Sequence, residues 1–179
     1  MTSRLAACAL ALFALPALAQ ETVEVAGITF QVPEGWVVEE PASTSMMKRL
    51  AQMKLPRAEG DEADAELVAL QAGGTVAANL ERWRGMFQAN DDEKKAWTEE
   101  KVDVDGTAAT VVLLTGEYQV PPFMRREGDP ETRKGHAMLG VVLETTPLTF
   151  FRILGPRKTI EAHRAKVLEF LRSGAKKEE

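Results

Sequence analysis

The chain has 179 residues, with 22 Lys plus Arg against 27 Asp plus Glu and a formal net charge of −5. Apolar residues at 45% and charged residues at 27% are globular proportions, which excludes wholesale disorder and fibrous repeats. The acidic balance excludes nucleic acid as the main partner, because phosphate binding needs concentrated positive charge.

Residues 1–19 read as a secretory signal peptide. Arg4 supplies the positive start, Leu5 to Leu15 is almost wholly apolar, Pro16 breaks the run, and Ala17-Leu18-Ala19 places small residues before the cut. That is the charged, apolar, small-residue order of a leader, and the apolar run is shorter than the roughly 20 residues a bilayer span needs. The mature chain is expected to begin at Gln20. Leu5-Ala6-Ala7-Cys8 resembles a lipoprotein cleavage box, but the apolar run follows it instead of leading into it. Cleavage after Ala19 removes Cys8, the single cysteine, and with it any disulfide or thiolate chemistry. The expectation is a soluble periplasmic or extracellular protein with no transmembrane helix in the mature chain.

The remainder, residues 20–174, reads as one domain followed by a solvated tail at 175–179. It opens with strands at 22–26 and 28–32, joined at Ala26-Gly27, in which Val23, Val25, Ile28, Phe30 and Val32 alternate with other residues. Pro33-Glu34-Gly35-Trp36 is a turn that delivers Trp36 to the core. A strand at 46–55 follows, with Ala51, Met53 and Leu55 on one face and Lys48, Gln52 and Lys54 on the other. Residues 57–65 form an acidic surface loop before a strand at 66–72.

Gly73-Gly74 breaks that strand and Thr75 is a good helix N-cap. Val76, Leu80, Trp83 and Phe87 recur within roughly 60° of one another on a helical projection, so a helix is expected to run to Asn90-Asp91-Asp92. Strands at 98–104 and 107–118 form a hairpin around Asp105-Gly106, a dipeptide favoured in tight primed turns. The run from Val111 to Leu114 suits a strand covered on both faces. A long polar connection, residues 119–135, leads to strands at 136–145 and 148–154. The last helix extends to Arg172, with Ile160, Val167 and Leu171 on one side and Gly174 as its stop.

This order predicts an α+β fold, a mainly antiparallel twisted sheet flanked by two main helices. The residues Gly27-Ile28-Thr29-Phe30-x-Val32-Pro33-x-Gly35-Trp36, Met47 to Pro56, Ala65-Glu66-Leu67-Val68 and Gly73-Gly74…Asn79-Leu80-x-Arg82-Trp83-x-x-Met86-Phe87 resemble those of a group of uncharacterised exported bacterial proteins. The strand–turn–Trp opening with this element order also looks like the Mog1/PsbP-like fold. The resemblance implies an α/β/α sandwich; it carries no catalytic or binding residue over to this chain.

A nucleophile needs a neighbouring base, and the mature chain offers His136 and His163, each isolated in sequence, and no Gly-x-Ser-x-Gly. Both histidines read as structural or surface residues. No catalytic residue, metal ligand set or cofactor motif emerges. The acidic run 59–66 lacks the spaced ligands of a calcium loop and reads as solvated. Gly73-Gly74-Thr75 reads as a strand-to-helix turn, lacking the further Gly and Lys of a phosphate loop. Trp36 and Trp83 read as core, and Trp97, among charges, as an exposed ring.

Phe123, Met124, Arg125 and Arg126, following Pro121-Pro122, make the best binding candidate. They pair an apolar tip with two arginines in an unusually long connection. The expected function is an exported, non-catalytic accessory or binding protein whose partner is an unidentified protein or envelope component. The alternative is a periplasmic small-ligand protein or hydrolase using carboxylates, Arg82 or Arg152 in a cleft.

Overall fold

The structure is a computed structural model and describes residues 20–42, 48–89, 94–122 and 131–176. Residues 1–19, read above as a leader, and Cys8 among them lie outside the described residues.

Three layers organise these segments. The main sheet has the order β3 (Val37–Glu39), β4 (Arg49–Leu55), β5 (Ala65–Ala72), β10 (Leu148–Pro156), β9 (Thr132–Leu143), β8 (Thr107–Gln119) and β6 (Phe87–Gln88), with β7 (Ala96–Val104) also paired to β8. Each pairing is antiparallel. The fold is thus α+β, as expected. Helix α1 (Val76–Arg84) covers one face. The other is covered by α2 (Arg157–Arg172) and a small sheet of β1 (Thr22–Val25), β2 (Ile28–Gln31) and β11 (Ala175–Lys176).

Period-two alternation sorts side chains between two cores. Val111, Leu139, Val141, Phe151 and Ile153 join Phe30, Trp36, Ile160, Val167 and Phe170 on the α2 side. Val112, Leu114, Met138, Val142 and Phe150 join Leu80, Trp83 and Phe87 on the α1 side. The run 111–114 therefore lies between both cores. Both hairpin turns form as read: Ala26-Gly27 and Asp105-Gly106 each have two positive φ values, the requirement of a primed turn that matches strand twist.

Four expectations are corrected. The first helix stops at Arg84, capped by Gly85, whose N–H reaches Glu81 O. Phe87 belongs to β6 and pairs with Tyr118. The helical stripe continues on paper because Phe87 does face the same core; Gln119 N–H donating to Met86 O at 2.7 Å draws the chain into the sheet instead. The opening strands do not extend the main sheet but build their own. Of the tail, the described residues Ala175 and Lys176 are exposed yet not free, since they pair with β2 and Lys176 N–H donates to Asp105 Oδ2 at 2.8 Å.

The acidic loop is the fourth correction, because it is docked and not merely solvated. Helix α2 begins at Pro156 without a side-chain cap of its own. Asp61 Oδ2 supplies one from the loop, accepting from Thr159 N–H at 2.8 Å and Thr159 Oγ1–H at 2.6 Å. The carboxylate satisfies one orphan amide and faces the positive end of the helix dipole.

Candidate functional site

The start of α1 is held tightly. Thr75 Oγ1 accepts from Ala78 N–H at 3.2 Å, and Asn79 Nδ2 donates to Gly73 O at 3.3 Å and Thr75 O at 2.9 Å. Gly74, at φ +99°, makes the turn from β5. Gly73-Gly74-Thr75 is thus the strand-to-helix turn expected. From it α1 lays Trp83 across the sheet, edge-on to Phe150 with centroids 5.7 Å apart. Gly140 of β9 lies directly beneath: a Cβ there would fall 2.5 Å from Trp83 Cζ3.

Being only nine residues long, α1 leaves part of its sheet face open. A cleft of about 160 Å³ remains beside it, lined by Leu70, Ala72, Arg82, Trp83, Met86, Phe150 and Arg152. Arg82 is exposed on the helix, whereas Arg152 is partly buried on β10, opposite Val68 and Gly140. Alternation puts Arg152 on the same face as Phe150. Burial pushes its guanidinium below the usual arginine range; Tyr118 and Glu66 oppose that shift, while Arg49 and Arg82 add repulsion. Arginine nevertheless remains charged.

Beyond the cleft the same face carries a polar network. Arg49 Nη1 pairs with Glu66 Oε1 at 3.0 Å and donates to Gln52 Oε1 at 2.7 Å. Gln52 Nε2 donates to Glu39 Oε2 at 3.1 Å, and Lys54 pairs with Glu39 at 2.6 Å. The Lys54 ammonium holds the Glu39 carboxyl below its ordinary value, and Glu39 holds Lys54 above its own. These carboxylates are engaged as ion-pair partners. Tyr118, buried in the α1-side core, has its hydroxyl pushed up by burial.

On the far side of α1, a groove of about 380 Å³ is lined by Val76, Leu80, Glu81, Arg84, Trp97 and Lys101 among others. The Trp97 ring is half-buried rather than fully exposed, with the Arg84 guanidinium 4.0 Å from its centroid.

Phe123, Met124, Arg125 and Arg126 lie outside the described residues. The segment's roots are described. Val120 N–H donates to Glu131 O at 2.9 Å, and Gln119 is bonded to Met86, which lines the cleft. His136 contacts Lys134 O at 3.0 Å. His163 binds Trp36 and Pro56 O. His136 lies on β9 and His163 on α2, and each makes its own contacts. Arg82 and Arg152, named from sequence only as alternatives, are brought into one cleft. The aromatic and apolar walls around them were not anticipated; the signal for them was an arginine alternating with apolar residues at 148–154.

Among the described residues no group of three or more His, Cys, Asp or Glu could hold a metal ion, and no helix is long and apolar enough to cross a membrane. No protein-family model and no curated protein matches the chain. Several solved structures are similar to it, two of them as follows. One is a protein of unknown function, PA94, from Pseudomonas aeruginosa, at TM-score 0.47 and 13% identity, covering 89% of this chain and 99% of that one. The other is cyanobacterial PsbP (CyanoP) from Synechocystis sp. PCC 6803, at TM-score 0.49 and 13% identity, covering 94% of this chain and 99% of that one. The likeness is one of fold.

Proposed function

We propose that this is an exported, non-catalytic binding protein of the periplasm or cell envelope, an accessory module whose α1-side face receives a partner. The observation that carries this reading is the Arg82–Arg152 cleft over apolar side chains. Its rim residue Met86 is hydrogen-bonded to Gln119, a few residues before Phe123, Met124, Arg125 and Arg126. A sequence that pairs Phe123 and Met124 with Arg125 and Arg126, close in the chain to a cleft lined by two more arginines, suits a partner with acidic and apolar character. The leader order of residues 1–19 supports export.

The small-ligand alternative is favoured by the same cleft. Its hydrolase form, which would use carboxylates with Arg82 or Arg152, is less well supported, because Glu66 and Glu39 beside the cleft are engaged as ion-pair partners of Arg49 and Lys54.

The test is capture from envelope extract, with the recovered partner identified by mass spectrometry, by the wild-type protein and by a Phe123→Ser, Arg125→Ser, Arg126→Ser variant. The triple change is expected to alter stability by no more than about 0.5 kcal/mol, as surface changes do, and to abolish recovery. Equal recovery by both proteins overturns the role of these residues.

A further inference from the structure

We infer that the outer edge of β7 is a self-association surface whose occupant is β7 of a second copy of this chain, antiparallel about a two-fold axis at Glu100. The inference goes beyond the binding-protein reading and uses none of the residues that line the Arg82–Arg152 cleft. The two ends of the main sheet are unlike. At one end β3 is only three residues long. At the other, β7 runs for nine, and among the described residues no strand pairs with its outer side. Of its residues only Val104 is buried. A long strand with one open side presents a row of backbone donors and acceptors to another chain.

The hairpin decides which groups face out. Val104 and Thr107 flank the two-residue Asp105-Gly106 turn, so they form a hydrogen-bonded pair. Counting back by twos, Val102, Glu100 and Thr98 turn their backbone groups to β8, while Trp97, Glu99, Lys101 and Asp103 turn theirs outward. Trp97, Glu99 and Lys101 also share the α1 face, where they line its groove. Charge then selects the register. With Glu100 opposite its own copy, Glu99 meets Lys101 of the second copy and Lys101 meets its Glu99, with Trp97 opposite Asp103 outside them. Every one of these is an outward-facing pair. A slip of two residues one way sets Glu99 against Glu99. The opposite slip sets Lys101 against Lys101 and Glu99 against Asp103. Opposite charges directly across a strand pair stabilise it, and like charges destabilise it. Edge charges ordinarily discourage pairing, but these single out one self-complementary register. The two Glu100 carboxylates that approach at the axis each bring a counter-ion, Arg164 Nη2 at 2.8 Å. A two-fold contact is closed, so assembly stops at the dimer.

The experiment is analytical ultracentrifugation of the purified protein over a concentration series, with circular dichroism to verify the fold of each variant. Wild type is expected to pass from monomer to dimer as concentration rises. Glu99→Lys and Lys101→Glu each turn both cross-copy ion pairs into like-charge pairs. Each is expected to weaken the dimer by about tenfold or more, the scale of about 1.4 kcal/mol. The double reversal remakes the pairs and is expected to restore the dimer. Register is read separately by cysteine cross-linking under mild oxidation. Residue 100 faces its own copy as a non-hydrogen-bonded pair with Cα atoms about 4.5 Å apart, within disulfide reach. Residue 98 is offset from its copy by four positions, more than about 13 Å. Glu100→Cys is therefore expected to give a covalent dimer and Thr98→Cys none, with wild type as the control for Cys8. A wild type that stays monomeric up to about 1 mM, unchanged association in Glu99→Lys, a double reversal no better than the single ones, or equal cross-linking from Thr98→Cys and Glu100→Cys overturns the inference. Cross-linking keeps the test decisive even if Lys101→Glu, which loses the bond to Thr110 Oγ1, disturbs folding.

Discussion

Trp36 donates its indole N–H to Nδ1 of His163 at 3.1 Å, and Nε2 of the same ring meets the Pro56 carbonyl at 2.8 Å. An indole nitrogen can only donate and a carbonyl can only accept. The arrangement therefore assigns the proton to Nε2 and leaves Nδ1 as the acceptor. One neutral imidazole on α2 thus straps the turn before β3 to the end of β4, with the Trp36 ring stacked obliquely against Phe170, centroids 5.8 Å apart.

His163→Leu is expected to cost about 1–3 kcal/mol, because the Trp36 N–H is left without its acceptor beside a buried ring. Trp36→Phe together with His163→Leu should cost less than the sum of the single changes. Urea denaturation of the four proteins in this cycle measures the coupling; strict additivity would show that the bond contributes nothing.

Gly140→Ala is expected to destabilise by about 1–3 kcal/mol, the range for overpacking a filled core. The new Cβ would sit 2.5 Å from Trp83 Cζ3, so the ring and α1 must shift. Gly73→Ala is the matched control, with no atom within 4 Å of its Cβ position. A thermal melt and the near-ultraviolet circular dichroism of the two variants separate steric pressure on Trp83 from a general glycine effect.

Trp83→Ala should cost about 3–5 kcal/mol, the range for truncating a buried large aromatic. The ring is 3% exposed and fills the space over Gly140 against Phe150. A loss below about 1 kcal/mol in a chemical melt would mean that the site collapses around the deletion.

Tyr118 gives an alkaline signature. Burial raises its phenol above the ordinary value of 10.0, so the unfolded chain ionises first as pH rises. Its contribution to stability is fully present below that value and is lost as pH climbs through the folded one. Tyr118→Phe removes this limb. It should leave neutral-pH stability unchanged or slightly higher, since the buried hydroxyl has no hydrogen-bond partner among the described residues. A melt series into alkaline pH checks both effects.

Glu39 gives the opposite limb. The Lys54 hydrogen bond depresses its carboxyl below the ordinary value of 4.5, so the pair's contribution is present above that value and lost as pH falls through the folded one. Stability curves of wild type and Lys54→Met, followed from neutral to acidic pH, are expected to converge at the acid end. A constant offset would assign the Lys54 effect to packing.

Much of the fold was legible because it is written in neighbouring residues. Ala26-Gly27 and Asp105-Gly106 announce their turns by the positive φ those turns demand, and Thr75 announces the start of α1. The apolar run 111–114 announces a strand covered on both sides. The end of α1 was not legible, because Phe87 satisfies the helical spacing and the strand's burial equally well. The pairing of Phe87 and Gln88 with β8, together with the bond from Gln119 to Met86, distinguishes them.

The cleft itself belongs to the tertiary structure. Arg82 and Arg152 are far apart along the chain, and each alone is an ordinary arginine. They meet because β10 pairs with β5 and β9 in a register that sets Arg152 opposite Val68 and Gly140, while glycine at 140 lets Trp83 and its helix settle close by. A one-residue slip would turn Arg152 to the other face of the sheet. Asp61 at the start of α2 and Lys176 at the Asp105 turn are likewise meetings of distant segments. The sequence by itself determined the elements and their buried faces, because periodicity and turn chemistry act between near neighbours. Which charges converge was decided by strand register and helix placement, because those are settled only when whole elements pack.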